Sequence, residues 1–254
     1  MPFWKRFPFY IWVMQLSPGS MCCLGVKDCL PMKGFIFDLD GVIVDTARYH
    51  YLAWKHLADQ LGISFTEEDN EQFKGVSRKR CLELLLEMGG MQVSEEQFDA
   101  WLQEKNEDYL QYISKMDASE ILPGVLPVLN YLKERNIPMA LGSASKNARP
   151  IIEKVGLTAY FNTIVDGTQV ARAKPDPEVF LIAASRLEVL PVQCVVIEDA
   201  QAGIAAANNA GMYSLGIGDA RVLAEADRVF QDFTHMGLDF INELLELNTK
   251  PQNK

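Results

Sequence analysis

The stretch FIFDLDGVIVDTA, Phe35 to Ala47, places Asp38, Asp40 and Asp45 directly after an apolar run of the kind that forms a buried strand. Two carboxylates two residues apart at a strand end repel each other. Left unpaired in a half-dry site they cost roughly several kcal/mol or are pushed toward protonation. A cation has to compensate, and the candidates are a metal ion, a lysine from elsewhere in the chain, or bulk water.

Outward from this stretch, short apolar runs between polar or glycine-bearing turns predict strands at Gly34 to Asp38, Pro138 to Gly142, Thr163 to Val165, Cys194 to Glu198 and Tyr213 to Gly216. Helical patterns fill the gaps at Val125 to Glu134, Asn147 to Val155, Pro177 to Leu187 and Ala200 to Ala210, the last stopped by Gly211. Strand and helix in alternation specify an α/β fold with a doubly wound, Rossmann-like parallel sheet. Ligands on such sheets bind beyond the carboxyl ends of the strands, where Asp38, Ser143, Asp166, Glu198 and Asp199 all fall.

One segment breaks the alternation. YHYLAWKHLADQLG, SRKRCLELLLEMGG and SEEQFDAWLQEKNEDYLQYISKM carry apolar residues at helical spacing and no convincing strand, so an α-helical cap is expected at 48–121, with LPGV at Leu122 to Val125 as the return hinge. Trp54, Leu57 and Leu61 form one such stripe. The α/β core is then 32–47 and 122–254. Residues 1–31 form a leader in which Lys5 and Arg6 precede the apolar FPFYIWVM. Pro8 interrupts that run, which is too short to span a bilayer, and Met32 begins the regular pattern, so the leader reads as an upstream extension or a poorly ordered tail.

With 254 residues and 48% hydrophobic content the chain can bury a substantial core. A net charge of -10 argues against nucleic acid bound through its phosphates, so any phosphate must be held locally. The five cysteines include Cys22, Cys23 and Cys29 close together, without a histidine or fourth cysteine at ligand spacing. Cys81 and Cys194 fall within a helix and a strand. This is no disulfide framework, and a reducing, cytoplasmic setting is expected.

The compensating charges come from two later motifs. In AKPDPEVF, Lys174 stands just before two prolines that fix the backbone after the third strand, so its ammonium can reach the carboxylates of the first. VVIEDAQAG ends another strand with Glu198 and Asp199. Two acidic pairs facing each other, with oxygen ligands only, suit Mg²⁺.

DLDGV, GSAS, KPDP and IEDAQAG, in this order, resemble the four motifs of the haloacid dehalogenase superfamily of phosphotransferases from Lys33 to about Leu247. The resemblance implies that Asp38 attacks phosphorus and becomes an aspartyl phosphate while Asp40 is the general acid and base. Ser143, with the backbone of Ala144 and Ser145, would cradle the transferring phosphate, and Lys174 would neutralise its charge. Asp38, Asp40 (through its carbonyl), Glu198 and Asp199 would hold Mg²⁺.

A mutase working through a bisphosphate must also grip a second phosphate. FKGVSRKR supplies Lys74, Gly75, Val76, Ser77 and Arg78 at a glycine turn and helix start, a setting that favours an anion, and Lys146 with Asn147 adds to the core side of the cleft. With DTARYHYLAW and KNEDY, these details are similar to the β-phosphoglucomutase branch of the superfamily. That similarity implies Thr46 and His50 orienting Asp40, Trp54 and Lys105 beside the sugar, and Arg78 clamping the phosphate that is not transferred. It further implies glucose 1,6-bisphosphate as the activating intermediate and small sugar phosphates as partners; from the sequence a monomer is expected, and no membrane association. Arg48 stands where relatives often carry an acidic residue. Two alternatives remain on the same residues: a sugar-phosphate phosphatase, and a non-enzymatic receiver-like phospho-acceptor, which needs neither the insertion nor Asp40 as an acid.

Overall fold

The computed structural model describes residues 31–73 and 76–246. Six parallel strands, β1 (Gly34–Phe37), β2 (Met139–Gly142), β3 (Thr163–Val165), β4 (Cys194–Glu198), β5 (Tyr213–Ile217) and β6 (Arg228–Phe230), form one sheet in the order β3-β2-β1-β4-β5-β6. The chain winds outward from β1 to β3, then returns to the other side of β1 to lay down β4. The strand order therefore reverses between β1 and β4, and a crevice opens at their carboxyl ends. In the register Phe37 pairs with Ile197, and the Asp38 amide donates to the Ile197 carbonyl at 2.9 Å. Asp38 and Glu198 are thereby set side by side at the rim.

The twofold alternation of side chains along the strands divides the core in two. Phe35, Phe37, Leu141, Val195 and Ile197 face one layer, packed on α5 (Val125–Glu134), α6 (Ala148–Lys154) and α9 (Phe233–Glu246). Ile36, Ala140 and Val196 face the other, under α7 (Glu178–Leu187) and α8 (Gln201–Asn209). These residues are fully or almost fully buried, as a sheet covered on both faces requires.

Between β1 and α5 lie α1 (Ala47–Gln60), α2 (Glu67–Glu71), α3 (Arg78–Met88) and α4 (Glu95–Ile113). They enclose a separate apolar cluster that includes Trp54, Leu57, Phe65, Leu82 and Leu85, with Leu61 packed at its margin. Tyr109, Ile113 and Met116, by contrast, join the cluster beneath the sheet, so the end of α4 leaves the helical layer and roots itself in the α/β layer.

Three elements go beyond the sequence-based reading, the first being the five-residue α2, opened by a capping box between Thr66 and Asp69. β6 is a three-residue edge strand whose side chains are only partly buried, so it carries no apolar run to announce it. In α9 the periodicity is broken by Gly237, whose backbone lies at φ 69°, ψ 156°, and Phe233, Met236, Ile241 and Leu244 are buried on either side of the break. Of the cysteines, Cys81 and Cys194 are free and buried. The leader up to residue 30, with its other three cysteines, lies outside the described residues, as do Lys74 and Gly75.

Candidate active site

β1 ends at Phe37, so Asp38 starts the turn that leaves the sheet, and its amide has already been satisfied by β4. Its Oδ1 accepts from Lys174 Nζ at 2.5 Å, and its Oδ2 accepts from the Asp40 amide at 3.0 Å. Lys174 also donates to Glu198 Oε1 at 2.6 Å, while Glu198 Oε2 accepts from the Ala200 amide at 2.8 Å. Asp38, Lys174 and Glu198 are all buried. Burial alone would discharge the lysine, but the two carboxylates outweigh it and hold the ammonium above its ordinary range. Glu198 moves upward because desolvation exceeds the benefit of Lys174.

Two glycines let the backbone come this close. Gly41 sits at φ +81°, and a Cβ there would fall 2.0 Å from Asp199 Oδ2. A Cβ on Gly203 would meet Glu198 Oε1 at 1.8 Å. The glycines of DLDG and EDAQAG are thus the space in which the second acidic pair approaches the first.

Asp40 is held differently. Its carboxylate accepts a short hydrogen bond from Thr46 Oγ1, the buried residue preceding α1. Desolvation first, and then the charge of Asp38, push its pKa up to about 7 against the pull of Thr46. At neutral pH the group therefore exists in both protonation states, which suits an acid in one half-reaction and a base in the other.

The opposite wall is cationic. Lys105, fully buried on α4, lies 4.7 Å above the Trp54 ring and 4.8 Å from that of Tyr109, and its Nζ is 3.0 Å from His50 Nδ1. The His50 ring stacks on Tyr109 with centroids 4.2 Å apart. Burial and then Lys105 and Arg78 hold His50 well below the usual histidine range, so a neutral imidazole accepts the lysine's proton donor. Burial and then Arg78 bring Lys105 down to about 7. Arg78 opens α3, with Ser77 as its N-cap, and desolvation lowers it as well. Two cations gathered in a half-dry wall, one lowered by burial and by its neighbour and the other by burial, are arranged to receive an anion.

Lys105 yields a stability prediction with a definite sign. Its folded pKa lies below its unfolded value near 10.4, so the unfolded chain binds more protons between about pH 7 and 10, and burying the ammonium costs stability below that window. Lys105→Met should raise the melting temperature by several degrees at pH 6.5, and the gain should fade as pH approaches 10. A gain independent of pH, or a loss at pH 6.5, contradicts this account.

The site residues expected from sequence and described in the structure line one cavity of about 810 Å³ between the sheet rim and the helical layer, except Asp166, whose carboxylate turns to Thr168 instead. On the core side Ser143 is buried, its Oγ accepts from the Ser145 amide at 3.0 Å, and Ser145 Oγ accepts from the Asn147 amide at 3.2 Å, which closes the loop through Ala144 and Lys146 into a cradle. Asn70, Asn106 and Tyr109 line the same cavity and were not anticipated. Asn70 Oδ1 and the Tyr109 hydroxyl are buried without a hydrogen-bond partner among the described residues. Spacing from Lys105 held a signal for Tyr109, four residues on and so on the same helix face.

A buried strand-end aspartate paired with a lysine, a second aspartate poised near neutrality, and a serine-led cradle thus meet in one cavity at the sheet rim. The chain belongs to the haloacid dehalogenase-like hydrolase family. The model of that family matches residues 32–211. The chain is 43% identical over 214 residues to the β-phosphoglucomutase of Bacillus subtilis, covering 84% of this chain and 95% of that one. The crystal structure of β-phosphoglucomutase from Clostridium difficile superposes with a TM-score of 0.81 at 41% identity, covering 84% of this chain and 97% of the other. A phosphorylated carbohydrates phosphatase of Thermotoga maritima is 31% identical over 205 residues, 78% of this chain and 93% of its own. In this haloacid dehalogenase-like chain Asp38 and Asp40 stand at the carboxyl end of β1, and residues of α1, α3 and α4 line the cavity opposite them.

Proposed function

We propose that this enzyme is a β-phosphoglucomutase that interconverts β-D-glucose 1-phosphate and glucose 6-phosphate through an aspartyl phosphate and glucose 1,6-bisphosphate. The observation that carries the reading is the two-ended cavity, with Asp38, Lys174 and the Ser143 cradle at one end and Arg78 and Lys105 at the other. A bisphosphate needs both ends at once, and the identity to the Bacillus enzyme supports the same substrate.

In the proposed reaction phosphorylated Asp38 donates to a free hydroxyl of a glucose monophosphate. Asp40 takes the hydroxyl proton as the sugar oxygen bonds to phosphorus and the bond from phosphorus to Asp38 breaks. The bisphosphate turns over in the cavity, Asp38 attacks its other phosphorus, and Asp40 returns the proton to the departing sugar oxygen. Lys174 holds Asp38 in line, and Thr46 holds Asp40. Arg78 and Lys105 bind the distant phosphate and the sugar, with Trp54 as an apolar wall and His50 fixing Lys105. We read 48–121 as a cap over a core made of 32–47 and 122–254. Closure of that cap would exclude water, which separates a mutase from a phosphatase.

The donor set also fits Mg²⁺. Asp38 and Asp199 offer hard oxygen donors drawn together by Gly41, and the Asp40 carbonyl completes the turn. Each Glu198 oxygen accepts one hydrogen bond, from Lys174 or from the Ala200 amide, and keeps a second lone pair with which Glu198 would join the set. Among the described residues no group of three or more His, Cys, Asp or Glu side chains is gathered as a metal cage. Bound there, Mg²⁺ would neutralise phosphoryl charge. No helix among the described residues is long and apolar enough to cross a membrane. We place the enzyme in the cytoplasm, acting as a monomer on small sugar phosphates.

The test is β-glucose 1-phosphate with Mg²⁺ and a trace of the bisphosphate. Glucose 6-phosphate should dominate; predominant free phosphate would instead identify a sugar phosphatase. Arg78→Ala sharpens it. Loss of a charge-assisted phosphate contact costs roughly 2–3 kcal/mol, about a hundredfold in rate. Mutase turnover should fall by that factor while acetyl phosphate still phosphorylates Asp38. Mutase kinetics within a few-fold of wild type would remove Arg78 from the distal-phosphate role.

A further inference from the structure

The two sides of the cavity touch through a pair of asparagines. Asn147 Nδ2 donates to Asn106 Oδ1 at 3.0 Å, joining residues 41 apart in sequence. Asn147 ends the Ser143 cradle, whose two serine-to-amide hydrogen bonds run from Ser143 through Ser145 to the Asn147 amide. Asn106 follows Lys105 on α4 and is partly buried at the cavity wall. A continuous hydrogen-bonded path therefore leads from the cradle for the transferring phosphate to the helix that carries Lys105 and Tyr109. Another polar contact between the two parts, from Asn70 Nδ2 to the Ala47 carbonyl at 3.4 Å, lies at the connecting segment rather than across the cavity.

We infer that Asn106 is a positioning residue that latches α4 to the phosphate cradle through Asn147 and keeps water from phosphorylated Asp38. Asparagine suits this task because the neutral amide pair can part when a sugar enters and reform behind it, without leaving a buried charge. The inference rests on the assignment of Asp38 as phosphoryl acceptor, and it does not depend on which sugar is used.

The experiment loads the full chain with acetyl phosphate and Mg²⁺, removes the donor, and follows loss of the phosphoryl group from Asp38 with no sugar present. Asn106→Ala should hydrolyse about tenfold faster than wild type, the size of one lost hydrogen bond of about 1.4 kcal/mol. Asn106→Asp keeps an acceptor for Asn147 Nδ2 and should return the rate toward wild type. In an Asn147→Ala background, Asn106→Ala should add nothing further. Melting temperatures taken in parallel should agree within a few degrees, since the position is partly exposed. Equal hydrolysis rates for wild type and Asn106→Ala overturn the latch, as does acceleration in Asn106→Ala that Asn106→Asp fails to reverse. If wild type takes up no phosphoryl group, the assignment of Asp38 fails instead, and the two failures are told apart.

Discussion

Asp38→Asn should leave no phosphoryl group on the chain after exposure to acetyl phosphate, and should lower both mutase turnover and phosphate release by at least about four orders of magnitude. An amide nitrogen and oxygen are poor nucleophiles toward phosphorus, and asparagine is also a weaker donor to Mg²⁺. The fold should survive, because Lys174 keeps Glu198 as a partner at 2.6 Å and the backbone bond from residue 38 to Ile197 does not involve the side chain. There is a second consequence. The charge of Asp38 is one of the two causes that raise Asp40, so in Asp38→Asn the pKa of Asp40 should move back down toward the ordinary carboxylate value. Intact mass after acetyl phosphate treatment and titration of Asp40 by carboxyl-carbon NMR check the two effects. A phosphorylated Asp38→Asn chain would falsify the nucleophile assignment.

The features of the site that sequence made legible are those tied to strand ends. DLDG, GSAS and EDAQAG each follow an apolar run, and a parallel sheet carries the end of every such run to one rim, so Asp38, Ser143 and Glu198 could be expected to converge before any distance was known. Lys174 was legible because prolines stiffen its approach. The cavity's helical wall was less so. His50 and Lys105 lie 55 residues apart on helices of similar charged composition, and periodicity alone cannot tell a buried lysine from a solvated one; only the resemblance to a known family pointed to them. Asn70 gave no signal, since a lone amide on a polar helix is ordinary, and Asn106 stood within KNEDY without a role of its own. The same reasoning covers the elements. β1 to β5 are buried runs, whereas β6 at the sheet edge lacks one, and the break at Gly237 divides α9 into pieces too short for a clear period.

Lys174→Met should be the most destabilising of the substitutions considered, and its deficit should depend on pH. In the native structure one buried ammonium serves two buried carboxylates, at 2.5 Å from Asp38 and 2.6 Å from Glu198. Removing one member of such a cluster leaves the others uncompensated and costs roughly 3–5 kcal/mol, whereas the methionine restores most of the lost volume and its contact with Phe180. The sign follows from linkage. The folded-state pKa of Lys174 is raised, so its contribution is fully present below the unfolded value near 10.4 and is lost only as pH rises through the folded value; the wild type therefore keeps it at all ordinary pH. Without the lysine, Glu198 loses the neighbour that lowers its pKa and rises further. The folded variant then binds a proton that the unfolded chain does not, and its stability falls as pH climbs from about 4.5 toward neutrality. Thermal melts of Lys174→Met against wild type should show a gap that is large at pH 7.5 and narrows markedly by pH 5. A gap that stays constant or widens on acidification would mean that the variant suffers from packing alone. Mg²⁺ offers an independent check: a divalent cation beside Asp38 and Asp199 replaces part of the missing charge, so adding it should recover more stability in Lys174→Met than in wild type, while phosphoryl transfer stays low because nothing holds Asp38 in line.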